Sequence, residues 1–329
     1  MATSRAKSDR TRRSYPLYLG VDGGGTKTQI ALIDESEAIV AEGTGGPSNP
    51  LRVGVETAVA NISKAIDTAC DSAGVSRGDI AAATLGLAGV RREDIRERVR
   101  ESFDSRYRSQ KTAVMTDADI ALFGTTFGKP GLVVIAGTGS ICLGMNAAGE
   151  RAIAGGWGPI AGDEGGGRGI ADQALHSVAK ASDGRGPATK LSERAAEYFR
   201  ASNVENLLVA IYAPQIDNSR IAGFARLVVE TAREGDEVAV GIIHNAGREL
   251  GTAAVAVLKR LRLVNEKVPI GCVGSVFGAG NLLTRPMIDA IRASHANAYL
   301  TDPVMLPSMA AALMSLRMGT ARVVRRPSK

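Results

Sequence analysis

The sequence predicts an α/β protein in which one domain plan occurs twice, and three observations support this class. At 329 residues the chain has the length of roughly two domains. It is 44% hydrophobic and has 39 glycines, mostly clustered at the ends of apolar runs, which suits an α/β enzyme better than a disordered or fibrous chain. Residues 17–33 and 132–145 each have the pattern of a strand, a tight glycine turn rich in hydroxyls and an antiparallel strand back.

In the first half, alternating or buried apolar runs predict the strands, and apolar spacing of three to four residues predicts the helices. The clearest helix spans residues 56–74, because its apolar side chains fall on one face and Gly74 provides a stop. The predicted strands are 17–22, 27–33, 37–42, 80–87 and 113–115, and the other predicted helices are 92–103 and one that begins at Ile120.

The second half restarts the same plan at Leu132. The further predicted elements are strands 140–145, 151–154 and 268–273, helices 170–180, 282–294 and 306–318, and a mostly helical stretch over 185–265. Hairpins that feed mixed sheets with helices on their faces give an α/β domain built twice.

The predicted organisation is a tail over residues 1–15, a first domain over 16–128 and a second domain over 129–329 with a helical insertion. We expect the last helix to pack on the first domain. Charge is concentrated at the two ends: the net charge is +6, but residues 1–13 carry +4 and residues 317–329 carry +5, which leaves −3 for the rest. Since the body shows no basic face, we expect a solvated, disordered basic tail and neither a nucleic-acid nor a membrane partner.

The cysteine pattern points to a reducing compartment. Cys70, Cys142 and Cys272 are far apart and form no CxxC pair, which disfavours a disulfide framework, a zinc site or an iron–sulfur cluster. No apolar run approaches the ~18 residues of a membrane helix, and the basic start lacks the apolar region of a secretory signal. We therefore expect a cytoplasmic location.

Two glycine turns rich in hydroxyls are the strongest functional signal. Residues 20–28 are GVDGGGTKT and residues 137–140 are GTGS. Glycine lets the backbone approach an anion closely, and the amides and Thr hydroxyls of such a turn can bind phosphate oxygens. One turn is weak evidence, but two of them predict a duplicated fold that holds one nucleotide from both sides.

Neither turn belongs to a familiar nucleotide motif. In a Walker loop, Lys follows the second glycine directly, whereas Thr26 intervenes before Lys27 here. The second turn has Cys142 where the dinucleotide fingerprint has its third glycine. Strand-like alternation follows both turns, which argues against P-loop and Rossmann binding, and none of the three lone histidines is predicted to be catalytic.

Six motifs occur in an order that carries a family resemblance. They are DGGGTK at 22–27, TD at 116–117, GTGS at 137–140, GGWG at 155–158, GDEG at 162–165 and CVGSV at 272–276. In this order they resemble the N-acetylglucosamine kinases of the BadF/BadG/BcrA/BcrD ATPase family, within the actin-like, hexokinase and Hsp70 ATPase superfamily. The resemblance covers about residues 17–320.

That resemblance implies both a fold and a reaction. The fold is two ribonuclease-H-like (actin-like ATPase) domains with the nucleotide in the cleft between them. The reaction is transfer of the γ-phosphate of ATP, with Mg²⁺, to a sugar hydroxyl, here predicted to be O6 of N-acetylglucosamine.

The resemblance also assigns residues to ATP and Mg²⁺. Asp22 would help to hold Mg²⁺, a hard cation that prefers oxygen ligands, although an Asp there could simply cap a turn. The implied ATP-binding residues are Gly24, Gly25, Thr26, Lys27, Thr138, Gly139, Gly274 and Ser275. Lys27 could instead point to solvent, and the later glycine turns could be plain structural turns.

Asp117 is the predicted general base. A sugar hydroxyl is a poor nucleophile, and a carboxylate within hydrogen-bond reach orients it and takes its proton as the O–P bond forms. Asp117 stands at a strand end, where α/β sites collect ligands. Asp119 could compete, but the family motif aligns with Asp117, and Asp119 is more typical of a charge at a helix N-terminus.

The implied sugar-binding residues are Asn49, Gly156, Trp157 and Asp163. Asn49 lies in a Pro-Ser-Asn-Pro loop, where Asn is also a common turn former. Trp157, the only Trp, lies in a glycine run that supplies no side chains to pack against, and an aromatic ring beside amides can hold a sugar. Asp163 would accept hydrogen bonds from sugar hydroxyls.

One departure from the family pattern leaves the preferred sugar open. After GDEG the chain has Gly166, Gly167 and Arg168, where the family often has a small residue and then bulkier ones. Arg168 could lie near the sugar or near phosphate. Glucosamine and N-acetylmuramic acid are therefore alternative substrates.

Two other function classes compete with the kinase. Activators in the same family use ATP to drive a partner enzyme, but they carry cysteines for a bridging iron–sulfur cluster, which the three cysteines here do not match. A transcriptional regulator would need a helix-turn-helix, which does not fit in the N-terminal tail. The resemblance is compatible with a homodimer.

Overall fold

The computed structural model describes residues 15–107, 111–263 and 266–320. The chain forms two compact units: the first runs to Ile120 and resumes at Met305, and the second runs from Ala121 to Val304. The predicted boundary after residue 128 falls inside the second unit. The predicted basic tail, residues 1–15, lies outside the described residues except for Tyr15.

The first unit is built on a five-stranded mixed sheet. Its strands are β1 (Leu17–Gly23), β2 (Thr28–Ile33), β3 (Ile39–Gly45), β4 (Ile80–Leu87) and β5 (Lys111–Thr116), in the order β3-β2-β1-β4-β5. The first three strands form an antiparallel meander, and β4 and β5 run parallel to β1. β1, β2 and β4 are buried along most of their length, as their nearly continuous apolar runs predict.

Helices follow the strands of the first unit. They are α1 (Pro50–Val53), α2 (Val55–Ala73), α3 (Glu93–Arg106) and α4 (Asp117–Thr126), which crosses into the second unit. α2 buries the apolar face that its spacing predicts, including Val59, Ile62 and Ile66. It ends at Gly74, whose φ of +67° is left-handed and whose N–H bonds carbonyls of the last turn.

The second unit repeats the same sheet. Its strands are β6 (Gly131–Ala136), β7 (Ser140–Met145), β8 (Arg151–Gly155), β9 (Pro269–Val273) and β10 (Tyr299–Thr301), in the order β10-β9-β6-β7-β8. Again the first three strands are antiparallel and the last two run parallel to the first. The predicted α/β class and the duplicated ribonuclease-H-like plan are confirmed. Sequence analysis missed β10, whose three residues are too short for a period to show.

The long segment between β8 and β9 is helical, as predicted. Its helices are α5 (Gly167–Ser182), α6 (Leu191–Phe199), α7 (Leu207–Ile211), α8 (Asn218–Gly223), α9 (Ala225–Arg233) and α10 (Glu237–Arg260). After β9 come a 3₁₀ helix at Ser275–Ala279 and α11 (Asn281–Arg292). None of the helices in the described ranges is long and apolar enough to cross a membrane.

The last helix, α12 (Pro307–Thr320), belongs to the first unit and packs against β1 and β4. Glycine at position 20 permits this approach, because a Cβ atom there would lie 2.1 Å from the carbonyl oxygen of Ser308. Ser315 donates a hydrogen bond to the carbonyl of Leu19 at 2.6 Å, and Lys111 donates to the carbonyl of Met318 at 2.9 Å. The chain therefore returns to complete the unit with which it begins.

Candidate active site

Strand register brings the two predicted carboxylates of the first unit to one edge of the sheet. Asp22, near the end of β1, pairs with Gly86 of β4, and Gly86 pairs with Met115 of β5. Asp117 comes directly after the last residue of β5. Because β1, β4 and β5 run parallel, Asp22 and Asp117 both lie at the carboxyl edge, where α/β sheets bind ligands.

The charge of Asp117 acts on Asp22 at this edge. Burial, followed by the negative charge of Asp117, raises the pKa of Asp22 to about 6, and the positive charge of Lys27 opposes the rise. Burial also raises the pKa of Asp117, although the N–H of Ala118 donates to its Oδ1 at 2.9 Å and partly offsets this effect. A cation at this edge would relieve the repulsion between the two groups.

The donor set fits Mg²⁺ bound together with phosphate. Within the described residues, no group of three or more His, Cys, Asp or Glu side chains could hold a metal ion. Mg²⁺ does not need such a cage, because it is usually held by one or two carboxylates, waters and substrate phosphates. Asp22 is therefore a fitting carboxylate ligand for a metal–nucleotide complex.

Asp119 has a different task from Asp117. Its carboxylate accepts a hydrogen bond from the N–H of Thr116 at 2.9 Å, and its own N–H donates to the Thr116 hydroxyl at 3.2 Å. This reciprocal pair is a capping box at the start of α4. The structure thus gives Asp119 the helix-terminal role that the sequence favoured.

The first glycine turn connects β1 to β2. The N–H of Gly24 donates to the carbonyl of Lys27 at 2.9 Å and closes the turn, and Thr26 and Lys27 are exposed. The carbonyl of Gly24 accepts the N–H groups of Ser48 and Asn49. The loop that follows β3 is therefore attached to this turn.

Asn49 lies at the same edge as the two carboxylates. Its Oδ1 accepts the N–H of Leu51 at 3.0 Å and caps α1, so the turn-forming role is realised. The side chain also covers Gly89, which follows β4 and has a φ of +82°; a Cβ atom on Gly89 would lie 2.3 Å from Oδ1. Asn49 therefore has a fixed position beside the carboxyl edge.

The second glycine turn, between β6 and β7, is held on the start of α5. The N–H of Gly137 donates to the carbonyl of Gly139 at 2.9 Å. The carbonyls of Gly137 and Thr138 accept the N–H groups of Gly167 and Arg168, both at 2.8 Å. The turn is therefore fixed before any ligand arrives.

Asp163 lies directly beneath this second turn. It is 7% exposed, its φ is +65°, and its Oδ1 accepts the N–H of Ser140 at 3.2 Å. A Cβ atom on Gly139 would lie 2.3 Å from the same oxygen, so only glycine fits above the carboxylate. Burial, more than the charge of Glu164, raises the pKa of Asp163, against the effects of Ser140 and Arg168.

The GGWG segment runs next to the second turn. The N–H of Gly156 donates to the carbonyl of Ser140 at 2.9 Å, and the φ of Gly156 is +71°. Trp157 is 71% exposed, so its ring is not part of the core, and Gly162 packs against its Cβ atom. The exposed ring of Trp157 therefore comes one residue after Gly156, whose N–H is bonded to Ser140.

Arg168 is engaged within the second unit. Its Nε donates to the carboxylate of Asp172 at 2.9 Å, and its Nη1 donates to Oδ1 of Asn218 at 2.8 Å. The guanidinium therefore ties α5 to α8. Sequence analysis could not distinguish this arrangement from a ligand contact, because Asn218 is far away in the chain.

A cavity of about 750 Å³ in the second unit is lined by two of its four predicted ATP-binding residues, Thr138 and Ser275. Gly137 lines it as well. Gly274, at the end of β9, has a φ of +113°, and a Cβ atom there would lie 2.3 Å from the carbonyl oxygen of Ala136. The turn after β9 can therefore lie against β6 only with glycine at this position.

Sequence analysis missed the polar helical wall of the cavity. This wall includes Tyr198, Arg220, Arg226, Glu230 and Arg233. The last three residues, on α9, follow one another at intervals of four and three, which places them on one helix face. That spacing was the available signal, but a mostly helical stretch gives no indication of which face meets the glycine turn.

The chain is similar over most of its length to one ATPase family and to two sugar kinases. Residues 19–313 match the BadF/BadG/BcrA/BcrD ATPase family. An N-acetyl-D-glucosamine kinase of Dictyostelium discoideum is 33% identical over 92% of this chain and 98% of its own length. An N-acetylmuramic acid/N-acetylglucosamine kinase of Clostridium acetobutylicum is also 33% identical, over 80% of this chain and 87% of its own.

A solved structure extends the comparison to the fold. A Chromobacterium violaceum protein assigned as an N-acetylglucosamine kinase superposes with a TM-score of 0.75 at 25% identity, covering 92% of this chain and 99% of its own. Sequence similarity and fold similarity therefore relate nearly the full length of the chain to the same group of proteins.

Proposed function

The chain belongs to the BadF/BadG/BcrA/BcrD ATPase family, and we propose that it is an ATP-dependent amino-sugar kinase that phosphorylates O6 of N-acetylglucosamine. The observation that carries this proposal is the position of Asp22 and Asp117 at one carboxyl edge, beside a closed glycine turn. The names of both 33%-identical relatives include N-acetylglucosamine kinase, which supports the choice of acceptor.

ATP binding uses the glycine turns of both units. In the first unit, Gly24, Gly25, Thr26 and Lys27 offer amides, a hydroxyl and an exposed ammonium to the β- and γ-phosphates. In the second unit, Thr138, Gly139, Gly274 and Ser275 form the corresponding phosphate and nucleoside contacts, beside the cavity. The cavity is large enough for a nucleoside, since small-molecule sites usually measure roughly 300–1,000 Å³.

Asp22 would hold Mg²⁺, directly or through water. Bound there, Mg²⁺ supplies charge neutralisation to the phosphate oxygens. Burial and the charge of Asp117 raise the pKa of Asp22, and a bound cation would lower it again.

Asp117 acts on the acceptor. The sugar hydroxyl transfers its proton to the Asp117 carboxylate as its oxygen bonds to the γ-phosphorus and the bond from phosphorus to the ADP oxygen breaks. The raised pKa of Asp117 suits this role, because it makes the carboxylate a better proton acceptor near neutral pH. ADP leaves with the electron pair of the broken bond.

The sugar contacts come from polar groups with fixed positions. Asn49 and Asp163 would hydrogen-bond sugar hydroxyls, the Gly156 backbone would border the pocket, and Trp157 would cover an apolar face. Arg168 is not included among these contacts, since its guanidinium bonds Asp172 and Asn218. Glucosamine and N-acetylmuramic acid remain alternative acceptors.

A partner-driving ATPase is the alternative function class. Its bridging cluster would need accessible thiols, but Cys70 and Cys142 are buried and Cys272 is half-buried.

The use of ATP as phosphate donor also suits the cytoplasmic location expected from the sequence. The homodimer stays a prediction.

The deciding experiment is a coupled ADP-release assay with ATP, Mg²⁺ and a panel of N-acetylglucosamine, glucosamine, N-acetylmuramic acid, N-acetylmannosamine and glucose. We expect strong turnover with N-acetylglucosamine, and phosphorus–proton coupling in the NMR spectrum of the product should locate the phosphate on O6. Slow ADP release that is indifferent to every sugar would contradict the kinase and favour the partner-driving ATPase.

A further inference from the structure

Arg52 lies across the first glycine turn. A Cβ atom on Gly25 would lie 2.7 Å from Nη1 of Arg52, 3.3 Å from its Cδ and 3.4 Å from its Cζ. The guanidinium therefore occupies the space that a side chain at position 25 would need. The absence of a side chain at Gly25 is what allows a cation to rest against the turn.

Local structure fixes this placement. The N–H groups of Ser48 and Asn49 donate to the carbonyl of Gly24 at 3.0 and 3.1 Å. Asn49 caps α1, and the N–H of Arg52 donates to the carbonyl of Asn49 at 3.0 Å. Since the two residues that precede α1 are bonded to the turn, the helix that carries Arg52 has a fixed position beside it.

The charge around the turn suits an anion. Lys27 is exposed in the same turn, and its charge acts on Asp22. Arg52 is exposed as well, so a ligand can reach it. The first turn therefore has a cation from within the turn and a second cation from α1.

On the basis of the proposed kinase function, we propose that Arg52 binds the γ-phosphate of ATP and stabilises the phosphoryl group during transfer. A guanidinium stays charged and offers a planar fork that matches phosphate oxygens. In the reaction the acceptor O–P bond forms, the P–O bond to ADP breaks and the proton goes to Asp117. Arg52 exchanges no proton and stabilises the charge on the oxygens of the moving group.

The first test is nucleotide binding without sugar, measured by calorimetry. Arg52→Met should weaken the binding of a non-hydrolysable ATP analogue by about tenfold, the scale of one hydrogen bond to a charged group. Binding of ADP, which has no γ-phosphate, should change by less than about twofold on the same scale. Equal losses for the two nucleotides would overturn the proposal.

The second test is the split between kcat and KM. Arg52→Met should lower kcat by about 100-fold, the effect of removing one preorganised donor, and leave the KM for N-acetylglucosamine unchanged. Arg52→Lys, which keeps the charge and loses the fork, should fall between Met and wild type. A normal kcat combined with a raised KM for N-acetylmuramic acid alone would instead assign Arg52 to the sugar carboxylate.

Arg77→Met is the matched control. Arg77 is an exposed arginine of the same unit, paired with Asp67 at 2.9 Å, and it precedes β4 at the opposite edge of the sheet. It should bind both nucleotides and turn over like wild type, and equal melting temperatures should show that both variants fold. If wild type shows no sugar-dependent turnover, the kinase proposal fails, but the comparison of the ATP analogue with ADP still decides the role of Arg52.

Discussion

Asp117 and Asp119 are two residues apart and serve different purposes. Asp119 bonds the backbone of Thr116 and starts α4, whereas Asp117 accepts the N–H of Ala118 and its charge acts on Asp22. A short sequence motif can place an acid near a strand end. Only the hydrogen bonds show that Asp119 is the acid that forms the capping box of α4 with Thr116.

The first prediction separates these two acids. Asp117→Asn should lower kcat by about 10²–10⁴-fold, the usual contribution of a general base, because an amide cannot accept the proton. Sugar affinity measured by calorimetry should persist. Asp119→Asn is the matched control: its amide oxygen can still accept the Thr116 N–H, so turnover should stay near wild type. Near-normal turnover of Asp117→Asn would exclude Asp117 as the base.

The second prediction concerns pH and Asp22. Because the folded protein raises the pKa of Asp22 to about 6 from an ordinary value of 3.8, the ionised carboxylate destabilises the folded state above pH 6. Asp22→Asn should therefore raise the melting temperature at pH 8. The gain should shrink as the pH falls from 6 toward 4 and be small at pH 4, where Asp22 is protonated in the folded state and already partly protonated in the unfolded state.

The measurement for Asp22 is thermal unfolding with a metal chelator present, from pH 4 to 8, for wild type and Asp22→Asn. The difference between the two proteins isolates Asp22 from the other carboxylates. A gain that is larger at pH 4 than at pH 8 would show that the carboxylate is stabilised in the fold, opposite to this account.

At the scale of elements, close backbone contacts join α12 to the first sheet. Gly20 of β1 meets the carbonyl of Ser308, and Gly319 of α12 meets the ring of Tyr18, which a Cβ atom would approach to 2.5 Å. These contacts hold the helix directly over β1, which carries Asp22 near its end. α12 therefore affects the site indirectly, by supporting β1, the strand that carries Asp22.

The third prediction tests this packing. Gly20→Ala should lower the free energy of unfolding by about 3 kcal/mol, because the added methyl group meets backbone atoms of α12 that cannot move aside cheaply. Gly241→Ala is the matched control, since no atom lies within 4 Å of its Cβ position inside α10. It should stabilise the protein by about 0.5–1 kcal/mol. Urea unfolding measures both, and equal effects would contradict the packing argument.

At the scale of the whole molecule, the connectivity of the chain makes the first unit depend on both of its segments. The first unit takes residues up to Ile120 and then α12, while the second unit is a continuous insertion between them. Its core therefore forms from residues separated by the length of the second unit. Contacts of such high sequence separation form slowly, because loop closure has to precede them.

The fourth prediction follows from this connectivity. A chain that stops after Val304 lacks α12 and should leave the faces of β1 and β4 uncovered, so the first unit should be cleaved rapidly in limited proteolysis while the second resists. A chain that stops after Thr320 keeps every described element and should behave like the full chain. Equal resistance of the first unit in both truncated chains would refute the dependence on α12.

The sequence by itself determined the elements and the turns. A continuous apolar run reveals a strand buried on both faces such as β4, and a period of about 3.6 reveals a helix buried on one face such as α2. The glycine turns were recognisable because glycine permits close backbone approach and, as at Gly274, adopts a positive φ without steric cost. Asp22 and Asp117 could be predicted because each lies next to a strand end within a short motif.

Tertiary structure alone decided which distant residues meet. Arg52 lies against Gly25, Arg168 bonds Asn218, and α9 lines the same cavity as the second turn, although the local sequence patterns of these residues do not indicate such neighbours. The packing of the helices on the two sheets fixes these contacts. A local period tells which face of an element is buried, but the neighbour of that face depends on how the whole chain folds.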